Sequence, residues 1–333
     1  MKLSILDQST VAEGRGPGEA IRETLALAKL AEGWGYERYW VAEHHNTASN
    51  AGSAPEILIS AIAATTQRIR VGSAGIMLPH YAPLKIAEQF RALEAVAPGR
   101  IDLGVGRAPG SDGRTAFALN PNANESAERF PQSVMELMGW LGEGLPDNHP
   151  FRSVVANPAV ETRPEVWMLG SSDFGAQLAA YFGLPYGYAY FITDGRGAEE
   201  AMETYRTGFR PEAGRLEKPY ASITVFALTA ATEAEAWRLF RSRELWRLGR
   251  DKGVYAPLPS VEAAEAYDYS AADMARIERI RERGIVGDPQ QVAAKLKALG
   301  TSLGVQEVAV LTACHDPMAR RESYRLLAEA WKN

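Results

Sequence analysis

The chain has a single cysteine, Cys314, in 333 residues. That excludes an internal disulfide and any paired-cysteine metal or redox motif. It also lacks blocks of like charge. Thirty-six Lys and Arg against 41 Asp and Glu give a net charge of −5, with neither a basic patch nor an acidic tail, so nucleic acid is not an expected partner. No segment approaches the roughly 18 uninterrupted apolar residues that a membrane helix requires. The first residues, Met1-Lys2-Leu3-Ser4-Ile5-Leu6-Asp7, run directly into a strand pattern. They lack the basic, apolar and small-residue succession of a secretory signal. A cytoplasmic protein without membrane attachment is the expectation. Missing too is a G-x-G-x-x-G after the first strand, where Asp7-Gln8-Ser9-Thr10 stands instead; this counts against a dinucleotide-binding open sheet.

Apolar material, by contrast, is plentiful. Hydrophobic residues make up 46% and charged residues 23% of the chain, enough for a large core and inconsistent with disorder. The length suits one or two domains, and a (β/α)8 barrel of about 250 residues plus insertions is one such solution.

Periodicity predicts strands at 3–6, 38–42, 69–78, 100–106, 165–169, 185–191, 220–228 and 306–311. Between them, helical spacing predicts helices at 19–34, from Ser53 to about Gln67, from Pro83, and at 127–141, 173–182, 198–208, 233–246 and 288–299. Ser53 and Glu56 have capping-box spacing, and Pro83 and Pro289 suit a first helical turn. Residues 108–126 read as a long loop, and 249–269 as a mobile lid. Eight nearly continuous apolar strands alternating with helices imply a parallel sheet covered by helices. The expected fold is therefore an α/β TIM barrel with insertions after strands 4 and 7.

Chemistry concentrates where the strands end. His44 and His45 follow Glu43 at the end of the second strand, the face on which barrel enzymes place catalytic groups. Consecutive strand residues point to opposite sides, so the two imidazoles are poorly placed to share a metal, and one of them could simply pack against helices. Val71-Gly72-Ser73-Ala74-Gly75 puts small residues where barrels usually hold branched ones. Such a stretch marks either a bulge approached by something flat or an accommodation to a bulky neighbour. Arg107 ends the fourth strand, and Gly170-Ser171-Ser172 leads from the fifth into a helix. Guanidinium, backbone N–H groups and hydroxyls together make a phosphate cradle.

Other features read blandly. Arg238, Arg241, Arg243 and Arg247 share a helix with Glu233, Glu235 and Glu244 and look like a solvated, ion-paired face. His80 lies beyond the third strand beside Tyr81, His149 falls in a proline-rich stretch and is expected to be exposed, and His315 belongs to the turn before the last helix. Small and apolar residues on the second and third helices (Ala61, Ile62, Ala63, Ala64, Ala87) could pack against a second copy.

The segments LSILDQS, WVAEHH, VGSAGIMLPHYAPLKIAEQF, GRIDLGVGRAPG, VWMLGSSDFGAQLAA and VGDPQQVAAKL, in this order and spacing, resemble those of the bacterial luciferase-like flavin monooxygenases. The resemblance runs from Leu3 to about Leu311. It implies a single TIM-barrel domain over 1–333 that takes reduced FMN from a separate flavin reductase and reacts it with O2. A flavin C4a-hydroperoxide would then oxygenate a small organic substrate. It further implies a cis peptide at Ala74-Gly75 supporting the flavin ring beside Ser73, a phosphate site at Arg107, Gly170, Ser171 and Ser172, and an active-site histidine at His44, with His45 beside it. A homodimer is expected, partly from the family. The luciferase α-chain pattern carries a cysteine where this chain has Gly106, so light emission does not follow. Rival readings are an oxidoreductase using the deazaflavin F420, a flavin-binding protein without turnover, and a metal-dependent barrel hydrolase built on His44, His45, His80 and Asp102.

Overall fold

The computed structural model describes residues 1–211 and 215–332. Nine strands are found among them: β1 (Lys2–Asp7), β2 (Arg38–Val41), β3 (Arg70–Met77), β4 (Ile101–Gly106), β5 (Glu165–Gly170), β6 (Tyr186–Tyr188), β7 (Ala221–Thr229), β8 (Ile285–Gly287) and β9 (Glu307–Leu311). All their pairings are parallel. Each of β1 to β7 pairs with the next in sequence, β7 pairs with β9 and β9 with β1, closing an eight-stranded barrel. The ninth strand, β8, pairs only with the far end of β7, at Ala227–Thr229, beyond the part that pairs with β9.

The helices that cover the barrel are α1 (Pro17–Trp34), α2 (Pro55–Ala63), α3 (Pro83–Val96), α4 (Gly113–Leu119), α5 (Ala123–Glu128), α6 (Phe130–Met138) and α7 (Asp173–Tyr181). They continue with α8 (Tyr190–Thr193), α9 (Ala198–Gly208), α10 (Glu233–Asp251), α11 (Val261–Ala266), α12 (Ala271–Glu282), α13 (Pro289–Ser302) and α14 (Pro317–Trp331). Their starts follow from local chemistry. Proline stands in the first turn of α1, α2, α3, α13 and α14, and Asp288 caps α13 reciprocally with Gln291.

Alternation along β2 shows how the core divides. Tyr39 and Val41 join the large cluster between strands and helices, whereas Trp40 and Ala42 join a smaller one with Leu6 and Trp167 inside the barrel. Below that inner cluster, the barrel is filled by ions. Arg38, only 4% exposed, reaches Asp102 at 2.8 Å, Glu165 at 2.8 Å and Glu307 at 3.1 Å. These carboxylates sit at the starts of β4, β5 and β9, none of which neighbours β2, so the guanidinium spans the interior. Burial opposes its charge, but Asp102, Glu307 and Glu165 outweigh that and raise its pKa. Trp40 Nε1 and the Tyr220 hydroxyl donate to the same oxygens of Asp102 and Glu307 that Arg38 contacts, at 2.9 and 2.8 Å, and Arg70 Nε donates to the other Asp102 oxygen at 2.9 Å.

Several expectations need correction. Ser53 does not cap α2, whose N-cap is Ala54 without a side-chain bond, and the helix ends at Ala63 rather than near Gln67. Residues 108–126 are not one loop: Asp112 accepts from the amides of Arg114 and Thr115 and starts α4, and α5 follows. The expected strand at 185–191 stops at Tyr188 and turns into α8. The lid region is largely built structure, since α10 continues to Asp251 and α11 occupies Val261–Ala266. Between them Leu258, fully buried, exchanges backbone bonds with Val11 and Glu13 at 2.8 Å and straps the segment to the loop after β1. His149 is tucked against Glu136 at 3.3 Å instead of being exposed. No helix among the described residues is long and apolar enough to cross a membrane.

Candidate active site

The C-terminal ends of the strands open onto a cavity of about 680 Å³, within the size range of small-molecule and cofactor sites. Its walls bring together His44, Ala74, Gly75, Arg107 and the 170–172 turn. Two of the expected site residues are left out of the walls: Ser73 and His45. Ser73 is fully buried and donates to the Gly104 carbonyl at 2.9 Å, while His45 turns outward to the Glu43 carboxylate at 2.7 Å. The reason is strand alternation. His44 continues the inward row of Trp40 and Ala42, and its amide bonds the Gly52 carbonyl at 2.8 Å.

His44 is mostly buried, and its Nδ1 has no hydrogen-bond partner among the described residues. Burial, followed by the charges of Arg250 and His45, pushes its pKa down to about 4. At neutral pH it is therefore an uncharged imidazole, and the residue lines the cavity while its Nδ1 is buried without a partner. Glu43, which the sequence reading passed over, fixes its surroundings. The carboxylate accepts from the Tyr81 hydroxyl at 2.6 Å, from the Met77 amide at 2.9 Å and from His45, tying the end of β2 to the end of β3. His80 is committed to the Pro109 carbonyl at 2.8 Å and His315 to that of Glu13 at 3.0 Å.

The small residues of β3 have two explanations in one strand. A Cβ on Gly72 would stand 2.4 Å from the Asp102 carbonyl oxygen, and one on Gly104 would stand 2.2 Å from that of Ser73. These glycines let β3 and β4 touch, a packing reason. One step further the register between the strands shifts between Ser73 and Ile76, and there Ala74 and Gly75 line the cavity, joined by a cis peptide. A Cβ on Gly75 would in addition stand 2.6 Å from Leu169 Cδ1 and 2.8 Å from the Gly104 carbonyl oxygen, so packing also requires glycine there. Trp40 forms part of the floor, met edge-on by Trp167 at 4.9 Å.

At the β4–β5 side, Arg107 lies 4.0 Å over the ring of Phe174 and makes no ion pair among the described residues. Beside it Ser172 is the N-cap of α7 with no side-chain capping bond. An exposed guanidinium without an ion pair, two serine hydroxyls and the first N–H groups of α7, beside the first-turn Asp173, are groups of the kind that can hold an anion.

The far wall comes from α10, and here the sequence reading of its arginines divides. Arg238 and Arg241 are exposed and paired with Glu235 and Glu265, as expected. Arg243 is not solvated: it is 7% exposed, lies 3.8 Å over Phe226, and lines the cavity together with Arg247 and Arg250. Its phase on the helix is the available signal, because Ala236, Leu239, Phe240, Arg243 and Trp246 recur at helical spacing on the buried stripe. The metal reading also fails. Asp102 is held by Arg38 and Arg70 at the opposite end from His44, and among the described residues no group of three or more His, Cys, Asp or Glu side chains could hold a metal.

A family profile described as Luciferase-like monooxygenase matches residues 1–307. The chain belongs to this family. It is thereby a flavin-dependent monooxygenase by class. The Escherichia coli strain K12 protein named luciferase-like monooxygenase is 38% identical over 97% of this chain and 95% of its own length. The N-acetyl-S-alkylcysteine monooxygenase of Bacillus subtilis strain 168 is 36% identical over 99% and 98%. Among solved structures, apo-MsnO8 superposes with a TM-score of 0.90 at 38% identity, covering 99% of this chain and 98% of that one.

Proposed function

We propose that this luciferase-like monooxygenase is the oxygenating half of a two-component system, using reduced FMN delivered by a separate flavin reductase, with O2 as co-substrate. Bound reduced FMN supplies the electrons with which one oxygen atom is inserted into a small organic molecule. One observation carries the reading: a single hollow joins a side-chain-poor wall at Ala74-Gly75, an anion cradle at Arg107 and residues 170–172, and the neutral imidazole of His44. A planar ring with a phosphorylated tail has a matching surface for each part.

In this arrangement Ala74 and Gly75 offer backbone without bulk to the ring face. Arg107, Ser171, Ser172 and the first amides of α7 hold the phosphate. His44, neutral at working pH, offers its imidazole to a hydrogen bond or a proton near the reacting atoms, the acid–base role expected of it. Phe130, Phe174 and Trp40 keep water from the ring and so limit wasteful discharge of activated oxygen. The similarity to the Bacillus subtilis N-acetyl-S-alkylcysteine monooxygenase makes N-acetyl-S-alkylcysteines the first substrates to try. Self-association is proposed through α2, where Ile57 is 65% exposed; Ile62, Ala63 and Ala87, by contrast, are buried in the chain's own core. Light scattering on the purified chain tests that point.

The deciding experiment is an anaerobic titration with reduced FMN, reduced riboflavin and reduced F420, followed by ¹⁸O2 in the presence of substrate. Tight binding of FMN alone and transfer of one ¹⁸O atom to product is the expected result. Preference for F420, or flavin binding without label transfer, would replace the proposal by one of its two rivals.

A further inference from the structure

The flavin reading assigns the β3, β4 and β5 sides of the cavity and leaves the α10 wall without a task. That wall is unusual. Arg243, Arg247 and Arg250 all face the hollow, and the carboxylates near them are already shared. Asp251 is bonded to Arg276 at 2.6 Å and to Arg247 at 3.3 Å, and Asp194 lies between Arg247 at 3.7 Å and Arg283 at 3.8 Å. Neither Arg243 nor Arg250 has an ion pair among the described residues. Arg243 rests on Phe226 at 3.8 Å and Phe240 at 5.3 Å, and Arg250 on Trp246 at 5.0 Å and Tyr255 at 5.3 Å.

For Arg243 the situation is costly. The side chain is more than nine-tenths buried, its Nε has no hydrogen-bond partner, and burial, with Arg247 beside it, pushes its pKa down to about 9. Asp194 and Glu244 act on it only through space, each being paired with other arginines, and a guanidinium taken out of water without a directly paired counter-charge destabilises the fold. Contact with two rings offsets only part of that loss. An apolar side chain would serve packing better, so packing is not an explanation for the charge.

We infer that Arg243 and Arg250 are the seat for a carboxylate on the substrate, which is therefore an organic acid held by its charged end against α10. This rests on the flavin reading for the other side of the hollow. In the barrel β7, which precedes α10, stands four strands from β3 in either direction around the ring, so the two walls face each other. An acid anchored at Arg243 extends its body toward Ala74-Gly75 and His44. The phosphate cradle is elsewhere, since Arg107 and residues 170–172 close β4 and β5, and β6 separates β5 from β7. Arg's planar fork suits bidentate binding of a carboxylate.

The test uses calorimetric titration of matched acids and amides: butanoate, hexanoate, octanoate and benzoate against butanamide, hexanamide, octanamide and benzamide. Each is measured on the flavin-free protein and again with reduced FMN bound. The expected result is that at least one acid binds about tenfold or more tightly than its amide. Arg243→Met and Arg250→Gln bring that ratio close to one while reduced FMN binds as before, and Arg243→Lys, which keeps charge but loses the fork, gives an intermediate ratio. Discrimination that is absent from every pair, or that survives both variants, overturns the inference. So does a loss of FMN affinity in Arg243→Met equal to that in Arg107→Ala, which would place the α10 arginines on the cofactor. The acid-to-amide ratio on flavin-free protein is independent of FMN binding, so failure of the cofactor reading and failure of this one are separable.

Discussion

The barrel has two charged poles that treat their charges differently. At the lower pole Arg38 has three carboxylates, and Asp102 and Glu307 have further donors from Trp40, Arg70 and Tyr220. At the mouth, Arg107 and Arg243 lack ion pairs among the described residues, and His44 Nδ1 lacks a hydrogen-bond partner. Both poles contain arginine and aromatic rings, so composition does not distinguish them. Satisfaction does. Charges that complete one another belong to the architecture, and the buried charge left without an ion pair, Arg243, is the one the carboxylate proposal assigns to a guest.

The sharpest way to break this contrast is at the lower pole. Arg38→Met leaves three carboxylates facing one another, and urea unfolding should show a loss of about 3–5 kcal/mol; an unchanged midpoint would remove the architectural role. At the mouth, His44→Ala should slow ¹⁸O transfer by about 10²–10⁴-fold while leaving reduced-FMN affinity within about twofold. Normal turnover in that variant would sink the assignment. Arg107→Ala should weaken reduced FMN by about 2 kcal/mol and leave riboflavin binding unchanged, read by the same anaerobic titration.

A pH scan compares the poles more gently. The folded pKa of His44 lies near 4, below its ordinary value of 6.5. Between those values the unfolded chain binds a proton that the folded chain refuses. Stability gained from the neutral form is full above about pH 6.5 and declines as pH falls toward 4, by about 3 kcal/mol. In His44→Gln that part of the acid slope should vanish from the thermal melts. The smallest effect has the opposite sign from the first: Arg243→Met should raise stability by about 1 kcal/mol. An arginine replacement that stabilises at the mouth and one that destabilises at the base would define the contrast in a single pair of measurements.

Much of this was legible before any coordinates. Period-2 alternation through Trp40, Ala42 and His44 already sends His44 inward and His45 outward, and the small stretch at 71–75 already suggests close backbone approach. What escaped did so for identifiable reasons. The arginines of α10 were grouped by number, when their phase against Phe240 and Trp246 separates Arg243 from Arg238 and Arg241. Helix α12 was missed because it buries little beyond Asp273, Ile277 and Ile280, although Ser270 and Asp273 form a capping box at its start. The three-residue β8 is too short to show a period. The lower ion network could not be read at all, since Arg38, Asp102, Glu165 and Glu307 meet only after the barrel has closed.

That closure has a consequence for traffic. With its base stoppered by ions and indole rings, the cylinder is a cup rather than a pipe. Cofactor, oxygen, acid and product share one rim, part of it formed by Arg250 and Tyr255, so whichever guest sits nearest the opening controls when the deeper one can leave.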